Sequence, residues 1–344
     1  MDAHLGMAGR DGATGNGRGQ FVISLDFELM WGVRDHMTKD NYGARVLGER
    51  PAIPAMLELF ERHQARATWA TVGFVLCDGR DELEARAPRE RPTYADPSLS
   101  NYAYLDEVGP SEAKDPYYFA PSMGRLILSC PGQELATQTF SHYYCLEPGQ
   151  TLAQFSADLA AAMKQLADWG VEGKSIVFPR NQYGREHLAA CEAAGLTVYR
   201  GNARSWMYRP ARRSEQSLVR RALRLADSYL PITDAAPADE GTTMVNVPAS
   251  RFLRPHSNLL KAIDGLRLKR ITQAMTAAAR AGELFHLWWH PHNFGGDTEE
   301  NLAFLAQILK HYRRLADEFG MQSATMAEAA GTETQQVYSA LAGE

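Results

Sequence analysis

Phe21-Val22-Ile23-Ser24-Leu25-Asp26-Phe27-Glu28-Leu29-Met30-Trp31 is an apolar run that carries two carboxylates spaced two apart. A strand turns residues i and i+2 to the same face, so Asp26 and Glu28 point together into one site while Phe27 packs the other way. Paired acids at a strand end either keep that end soluble or perform acid–base chemistry. The segments that follow decide between the two.

The surrounding chain reads as alternating strands and helices. Residues 51–64 place Ile53, Met56, Leu57, Leu59 and Phe60 at helical spacing, and 67–75 read as a second strand rich in Thr, Val, Trp and Phe. A short helix is expected at 121–129 and a strand at 134–140, ending at Ser141-His142-Tyr143-Tyr144. The next helix opens with Thr151 and Gln154, a capping-box pair. Further strands are expected at 174–180, 196–200, 243–247 and 284–289. Helices are expected at 184–194, at 259–281, and in a last segment capped by Asp297 and Glu300 and stopped by Gly320. About seven strands alternating with helices, with no composition shift between them, predict parallel βα units in an α/β fold. A single-domain TIM-like barrel with long loop insertions is favoured; a doubly wound open sheet shares the same alternation.

Two stretches interrupt the rhythm. Residues 78–120, with Tyr94, Tyr102, Tyr104, Tyr117 and Tyr118, are expected to be a lid or a binding loop, and 204–241 form a second excursion. Residues 1–18 hold too little apolar surface to order and read as a disordered leader, 19–328 as the barrel, and 329–344 as a loose tail.

The 344 residues carry a net charge of −5, with basic residues outnumbered and dispersed, which argues against a nucleic-acid partner. Cys77, Cys130, Cys145 and Cys191 form no Cys-x-x-Cys pair, so a zinc ribbon or a disulfide framework is not expected and the thiols read as reduced. No run approaches the roughly 18 apolar residues of a membrane span, and a cytoplasmic location is expected. In 211–230, Arg212, Arg213, Arg220, Arg221 and Arg224 accompany Leu218, Val219, Ala222, Leu223 and Ala226 in a basic amphipathic pattern. It fits a solvated helix packed on the barrel, or a contact with an anionic carrier, a nucleotide diphosphate or a lipid phosphate at the inner membrane face.

Chemistry-bearing residues gather at the ends of the expected strands: Asp26 and Glu28 on the first, His142 after the third, Arg180 on the fourth, His290 on the last. A βα barrel carries its active site at those ends. A guanidinium such as Arg180 can pair with a carboxylate and fix its orientation and charge. In Phe285-His286-Leu287-Trp288-Trp289-His290-Pro291-His292-Asn293, period two puts His286, Trp288 and His290 on one face, with His286 and His292 individually the plainer structural histidines.

These motifs resemble, in order, those of the polysaccharide deacetylase family over about residues 20–325. The family's fold is a distorted (β/α)7 barrel. Ser24-Leu25-Asp26-Phe27-Glu28 is similar to its first motif, which implies Asp26 as general base and Glu28 as a metal ligand. Gln138-Thr139-Phe140-Ser141-His142 is similar to the second, which implies His142 as a metal ligand. Phe178-Pro179-Arg180 is similar to the third, whose Arg positions the base, and Leu287-Trp288-Trp289-His290 to the last, whose His is the general acid. The wording of Phe178-Pro179-Arg180-Asn181-Gln182, Tyr199-Arg200-Gly201-Asn202 and 247–255 resembles a branch associated with bacterial surface-glycan biosynthesis.

The chain departs from the pattern at Gln138, which stands where the family has its first metal-binding His. An amide is a poor substitute for imidazole at zinc or a similar divalent metal. His36 or a loop residue is the candidate replacement. Gln138, Asn181, Trp288 and His292 are the candidate substrate contacts.

The resemblance implies hydrolysis of an N-acyl group, acetyl or formyl, from a small or carrier-linked amino sugar. Two other readings stay open: a metal-free glycan-binding or regulatory protein that kept the barrel, and a C–N hydrolase acting on a small cyclic amide.

Overall fold

The computed structural model describes residues 17–202 and 242–332. The expected excursion 204–241 with its basic amphipathic segment 211–230, most of the expected leader and residues 333–344 of the expected tail lie outside the described residues.

Among the described residues, nine parallel strands form one curled sheet. They are β1 (Gln20–Phe27), β2 (Ala67–Thr71), β3 (Gln133–Thr137), β4 (Ser175–Ile176), β5 (Val198–Tyr199), β6 (Val245–Asn246), β7 (Arg251–Phe252), β8 (Leu284–Trp289) and β9 (Gln322–Ala324). The order is β6-β5-β4-β3-β2-β1-β8-β7, with β9 against the first half of β1. The two ends of this path belong to one stretch of chain. Val245, Val247 and Ala249 donate their backbone N–H to Thr197, Tyr199 and Gly201 in and around β5, whereas Ser250 and Leu253 donate to His286 and Trp288 of β8. One extended segment thus switches neighbours midway and joins the ends, a distorted barrel rather than an open sheet.

Alternation along β1 sorts side chains between two environments. Phe21, Ile23, Leu25 and Phe27 join the core shared with Ile53, Met56 and Phe60 of α1 (Lys39–Arg62). Val22 turns inward to meet Ala70, Val177, Val198 and Val247, above a plug made by Ala324 and Met326. That plug includes α8 (Met326–Ala329), whose first residues give backbone N–H groups to Thr68 Oγ1 at 2.8 Å and Glu134 Oε2 at 3.3 Å. The lower barrel interior is thus an apolar cluster with a buried Thr68–Glu134 hydrogen bond at its closing helix, and a second polar layer begins at Ser24.

The α-helices among the described residues are α1, α2 (Arg80–Arg86), α3 (Pro121–Ser129), α4 (Leu152–Asp168), α5 (Arg185–Ala193), α6 (Asp264–Ala281), α7 (Thr298–Phe319) and α8. The Thr151–Gln154 capping box forms as the pattern predicts. Two expectations are corrected. α1 begins at Lys39, not at Pro51, because Thr38 and Asn41 make an earlier capping box and Val46 and Glu49 bury ahead of the prolines. Asp297 precedes α7 in a left-handed conformation and makes no side-chain cap.

Residues 78–120 do not stand off the barrel. Trp31 Nε1 donates to Tyr118 O at 2.7 Å, and Asn101 Nδ2 donates to Trp31 O at 3.1 Å and to Ser141 O at 2.9 Å. These contacts make the insertion a wall that braces the turns after β1 and β3.

α1 also meets the turn that follows β8. A Cβ on Gly48 would lie 2.0 Å from Gly295 O and 2.7 Å from its carbonyl carbon, both backbone atoms that cannot swing away. Gly48→Ala should therefore cost about 1–3 kcal/mol by overpacking, read as a lower urea midpoint at unchanged slope. The turn at Pro291–Phe294 should move with it, seen as chemical-shift changes at His290 and His292. A variant with wild-type midpoint and shifts would show the contact to be soft.

Candidate active site

Ser24 and Asp26 extend from β1 into the barrel, and Trp288 and His290 come from β8 on its one side. Asp26 is buried and its carboxylate is held by a fork: Arg200 Nη1 donates to Oδ1 at 2.6 Å and Arg200 Nη2 to Oδ2 at 2.8 Å. Arg200 follows β5, is itself buried, and also donates to Ser24 Oγ at 3.0 Å and Asn181 Oδ1 at 3.3 Å. Its guanidinium carbon lies 4.3 Å from the centre of the Trp288 ring. Two parallel N–H···O bonds and an aromatic floor define the plane of the Asp26 carboxylate.

The sequence assigns this task to Arg180, and the structure gives it to Arg200. Arg180 has a left-handed backbone, φ +53°, which swings its side chain to Asp35, with the Tyr144 ring 4.2 Å away. Both arginines follow strands of the same sheet, so strand-end position alone could not tell them apart. Arg200 was legible as a cation at the next strand end, within the quoted Tyr199-Arg200-Gly201-Asn202.

Glu28 lies one turn of chain further. His142 Nε2 is 3.2 Å from its Oε2 and His290 Nε2 is 3.5 Å from its Oε1. Burial pushes the Glu28 carboxyl up, but His290, His142 and His292 together outweigh it and hold the group at about 2. Glu28 is thus an anion at any working pH. His290 Nε2 is also 3.7 Å from Asp26 Oδ2, so one imidazole faces both acids. Its side chain keeps 23% of its surface exposed, against 5% for Asp26 and 4% for Glu28. His290 therefore stands between the acids and the opening.

His142 reaches Glu28 because the turn after β3 is tightly specified. Thr139 and His142 both adopt positive φ, at +64° and +60°. Asp158 of α4 accepts the backbone N–H of Phe140 at 2.8 Å and of Ser141 at 3.2 Å, and Thr139 Oγ1 accepts that of Tyr143 at 2.7 Å. Burial raises the Asp158 carboxyl to about 6 against these hydrogen bonds.

The four candidate substrate contacts take different places. Asn181 and Trp288 are half-buried, touching Arg200. Gln138 is buried and its Nε2 donates to Glu28 Oε2 at 3.4 Å. His292 is buried beneath His290, with ring centres 4.9 Å apart.

A divalent metal on Glu28 and His142 needs further strong donors. Gln138 turns an N–H, not its oxygen, toward Glu28, and that oxygen is buried with no hydrogen-bond partner. His36 pairs with Asp35 at 2.7 Å. Among the described residues, no three His, Cys, Asp or Glu side chains form a metal-holding group. One carboxylate, one imidazole and an inward-turned amide N–H do not fit the donor set of zinc.

Burial, with His290 second, pushes His292 down to about 3, well below the roughly 6.5 of a free imidazole. Between those values the unfolded chain binds a proton that the folded one refuses. His292 thus contributes stability that is complete above about pH 6.5 and is lost as pH falls, by at most about 1.4 kcal/mol per unit. Asp158 and Glu49, both raised by burial, act in the opposite direction. The readout is therefore a difference. Urea unfolding of His292→Gln should lose stability less steeply than wild type between about pH 6.5 and 5, and parallel curves would show that His292 is charged in the folded protein.

No family model matches this chain, and no curated protein matches it. Solved structures do. A Mycobacterium smegmatis structure assigned as a polysaccharide deacetylase aligns at TM-score 0.55 and 13% identity, over 92% of this chain and 90% of that one. A family 4 carbohydrate esterase from Streptomyces lividans, in complex with acetate, aligns at TM-score 0.39 and 9% identity, over 92% and 95%. A pseudoenzyme of the same esterase family from Bacillus anthracis aligns at TM-score 0.44 and 9% identity, over 91% and 66%. At these identities the likeness is one of fold, and the fold of this chain is that of the Mycobacterium smegmatis structure, the distorted barrel that the order of its motifs anticipates.

Proposed function

We propose that this protein hydrolyses an N-acyl group, acetyl or formyl, from an amino sugar, as a cytoplasmic step in bacterial surface-glycan biosynthesis. The substrate is carried on a nucleotide diphosphate or a lipid phosphate. The observation that carries the reading is the position of His290, with Nε2 within 3.7 Å of Asp26 Oδ2 and 3.5 Å of Glu28 Oε1, at the exposed edge of the site.

The chemistry follows from those three side chains. Arg200 takes one lone-pair direction on each Asp26 oxygen, leaving another on Oδ2 toward His290. A water there gives its proton to Asp26 as its oxygen bonds to the acyl carbon. The C–N bond then breaks, its electron pair stays on nitrogen, and the His290 imidazolium supplies the proton that makes the amine a leaving group. Asp26 ends protonated and His290 neutral, so one proton must pass between them before the next turnover. Glu28 Oε1, 3.5 Å from His290 Nε2, helps to orient the same imidazole.

A second reading is favoured by one observation: Gln138 fills the place of a metal donor and gives its N–H to Glu28. A barrel so altered would bind glycans without cleaving them. Cleavage of a small cyclic amide differs only in substrate.

The test is amine release from N-acetyl and N-formyl amino sugars, free and linked to a nucleotide diphosphate or a lipid phosphate, with small cyclic amides alongside. The expected result is release from a carrier-linked sugar that Asp26→Asn and His290→Ala each lower by about 100-fold or more. Tight binding of the same sugars with no release would establish the second reading, and release confined to cyclic amides would establish the third.

The two arginines separate in the same assay. Arg200→Lys, which keeps a charge but loses the fork, should lower kcat at least about tenfold, while Arg180→Ala should leave it within about threefold. The reverse ranking would return the base to Arg180.

A further inference from the structure

We infer that His286 and Ser24 are positioning residues for the base, acting through Arg200 by a one-way chain of hydrogen bonds. The inference rests on the reading of Asp26 as the base. His286 is wholly buried in β8, where Nδ1 lies 3.1 Å from Val247 O and Nε2 lies 2.8 Å from Ser24 Oγ.

A carbonyl oxygen can only accept, so Nδ1 carries the proton. In a neutral ring Nε2 is then an acceptor, and the hydroxyl must donate to it. Ser24 has a single proton, so its oxygen faces Arg200 with lone pairs alone, and Arg200 Nη1 donates to it at 3.0 Å. The same Nη1 donates to Asp26 Oδ1 at 2.6 Å. Every direction in the chain follows from Val247 O.

The chain defines which conformation satisfies the two Nη groups of Arg200, Nε being buried without a hydrogen-bond partner. Nη1 is shared between Ser24 and Asp26, and Nη2 between Asp26 and Asn181. Rotating the guanidinium away from the carboxylate would strand buried donors. If Ser24 were free to turn its proton around, it would oppose Nη1 with a second donor. His286 removes that freedom, and burial with Arg200 nearby keeps the ring neutral, held down to about 3. The imidazole is itself fixed to the strand segment that closes the barrel, because its backbone N–H donates to Ser250 Oγ at 3.0 Å and its carbonyl accepts from Ser250 N at 2.9 Å. The closure of the barrel and the plane of the Asp26 carboxylate are thereby linked through two side chains.

The experiment uses the full chain with 15N-labelled histidine and arginine, in wild type, Ser24→Ala, Ser24→Thr, His286→Gln and His286→Leu. One wild-type imidazole should hold its proton on Nδ1 from about pH 5 to 8, with Nε2 shifted by an accepted hydrogen bond. Ser24→Ala should remove that shift and speed exchange of the Arg200 Nη protons at least about tenfold. Its kcat should fall about tenfold, or about 1.4 kcal/mol of barrier, with KM nearly unchanged. Ser24→Thr, which restores the hydroxyl, and His286→Gln, whose Oε1 accepts where Nε2 did, should return exchange and kcat to within about threefold of wild type. His286→Leu should resemble Ser24→Ala.

Unchanged Arg200 exchange in Ser24→Ala overturns the inference, as does an Nε2-protonated His286, or wild-type kcat in Ser24→Ala. If wild type releases no amine from any N-acyl sugar while exchange still responds to Ser24→Ala, the chain to Arg200 stands and the proposed hydrolysis falls.

Discussion

A carboxylate inside a barrel is tolerable only if its charge is answered there, and the pairing of Asp26 with Arg200 is the constraint on which the site depends. Both groups are buried, and removing either partner of such a pair leaves a charge with no solvent to receive it, at about 3–5 kcal/mol. The surroundings are arranged to prevent that. The Trp288 ring lies against the guanidinium, Ser24 and Asn181 accept one further N–H each from Nη1 and Nη2, and β1, β5 and β8 are tied together from inside. Structural and chemical demands coincide here, since the contact that makes Asp26 affordable also orients it.

The barrel supplies this polar layer with a dry foundation. Below it Val22, Ala70, Val177, Val198 and Val247 pack together, and the short helix under the strands closes them off with its backbone N–H groups on Thr68 and Glu134. Above it, three turns carry residues in left-handed conformations, with Leu29, Thr139, His142, Arg180 and Asn181 all at positive φ. Such backbones are held only when neighbours over-determine them. Asp158 and Asn101 do so for the turn after β3. The 78–120 insertion thus contributes to the site as a brace.

Much was legible in order. Period two turns Asp26 of β1 into the barrel, and Glu28, just past the strand end, meets the same imidazole; His286 and Trp288 of β8 and His290 just after it each touch a different member of the β1–Arg200 assembly. The capping box at Thr151 and the Gly320 stop were equally readable, being local patterns. Less local features were not. α1 starts earlier than its prolines indicate because burial of Val46 and Glu49 overrides them. The lid expectation for 78–120 had no means of foreseeing which carbonyls Asn101 would meet.

The sequence by itself determined the parallel βα alternation and the identity of the acids and histidines at the strand ends, because these depend on residue type and short-range period. Tertiary structure alone decided which arginine answers Asp26, which way the Gln138 amide turns, and which histidine faces the opening. Those choices turn on distances between segments more than a hundred residues apart and on backbone φ at Arg180 and His142. No local pattern encodes them: a guanidinium at a strand end is the same motif whether its chain then bends toward Asp26 or toward Asp35.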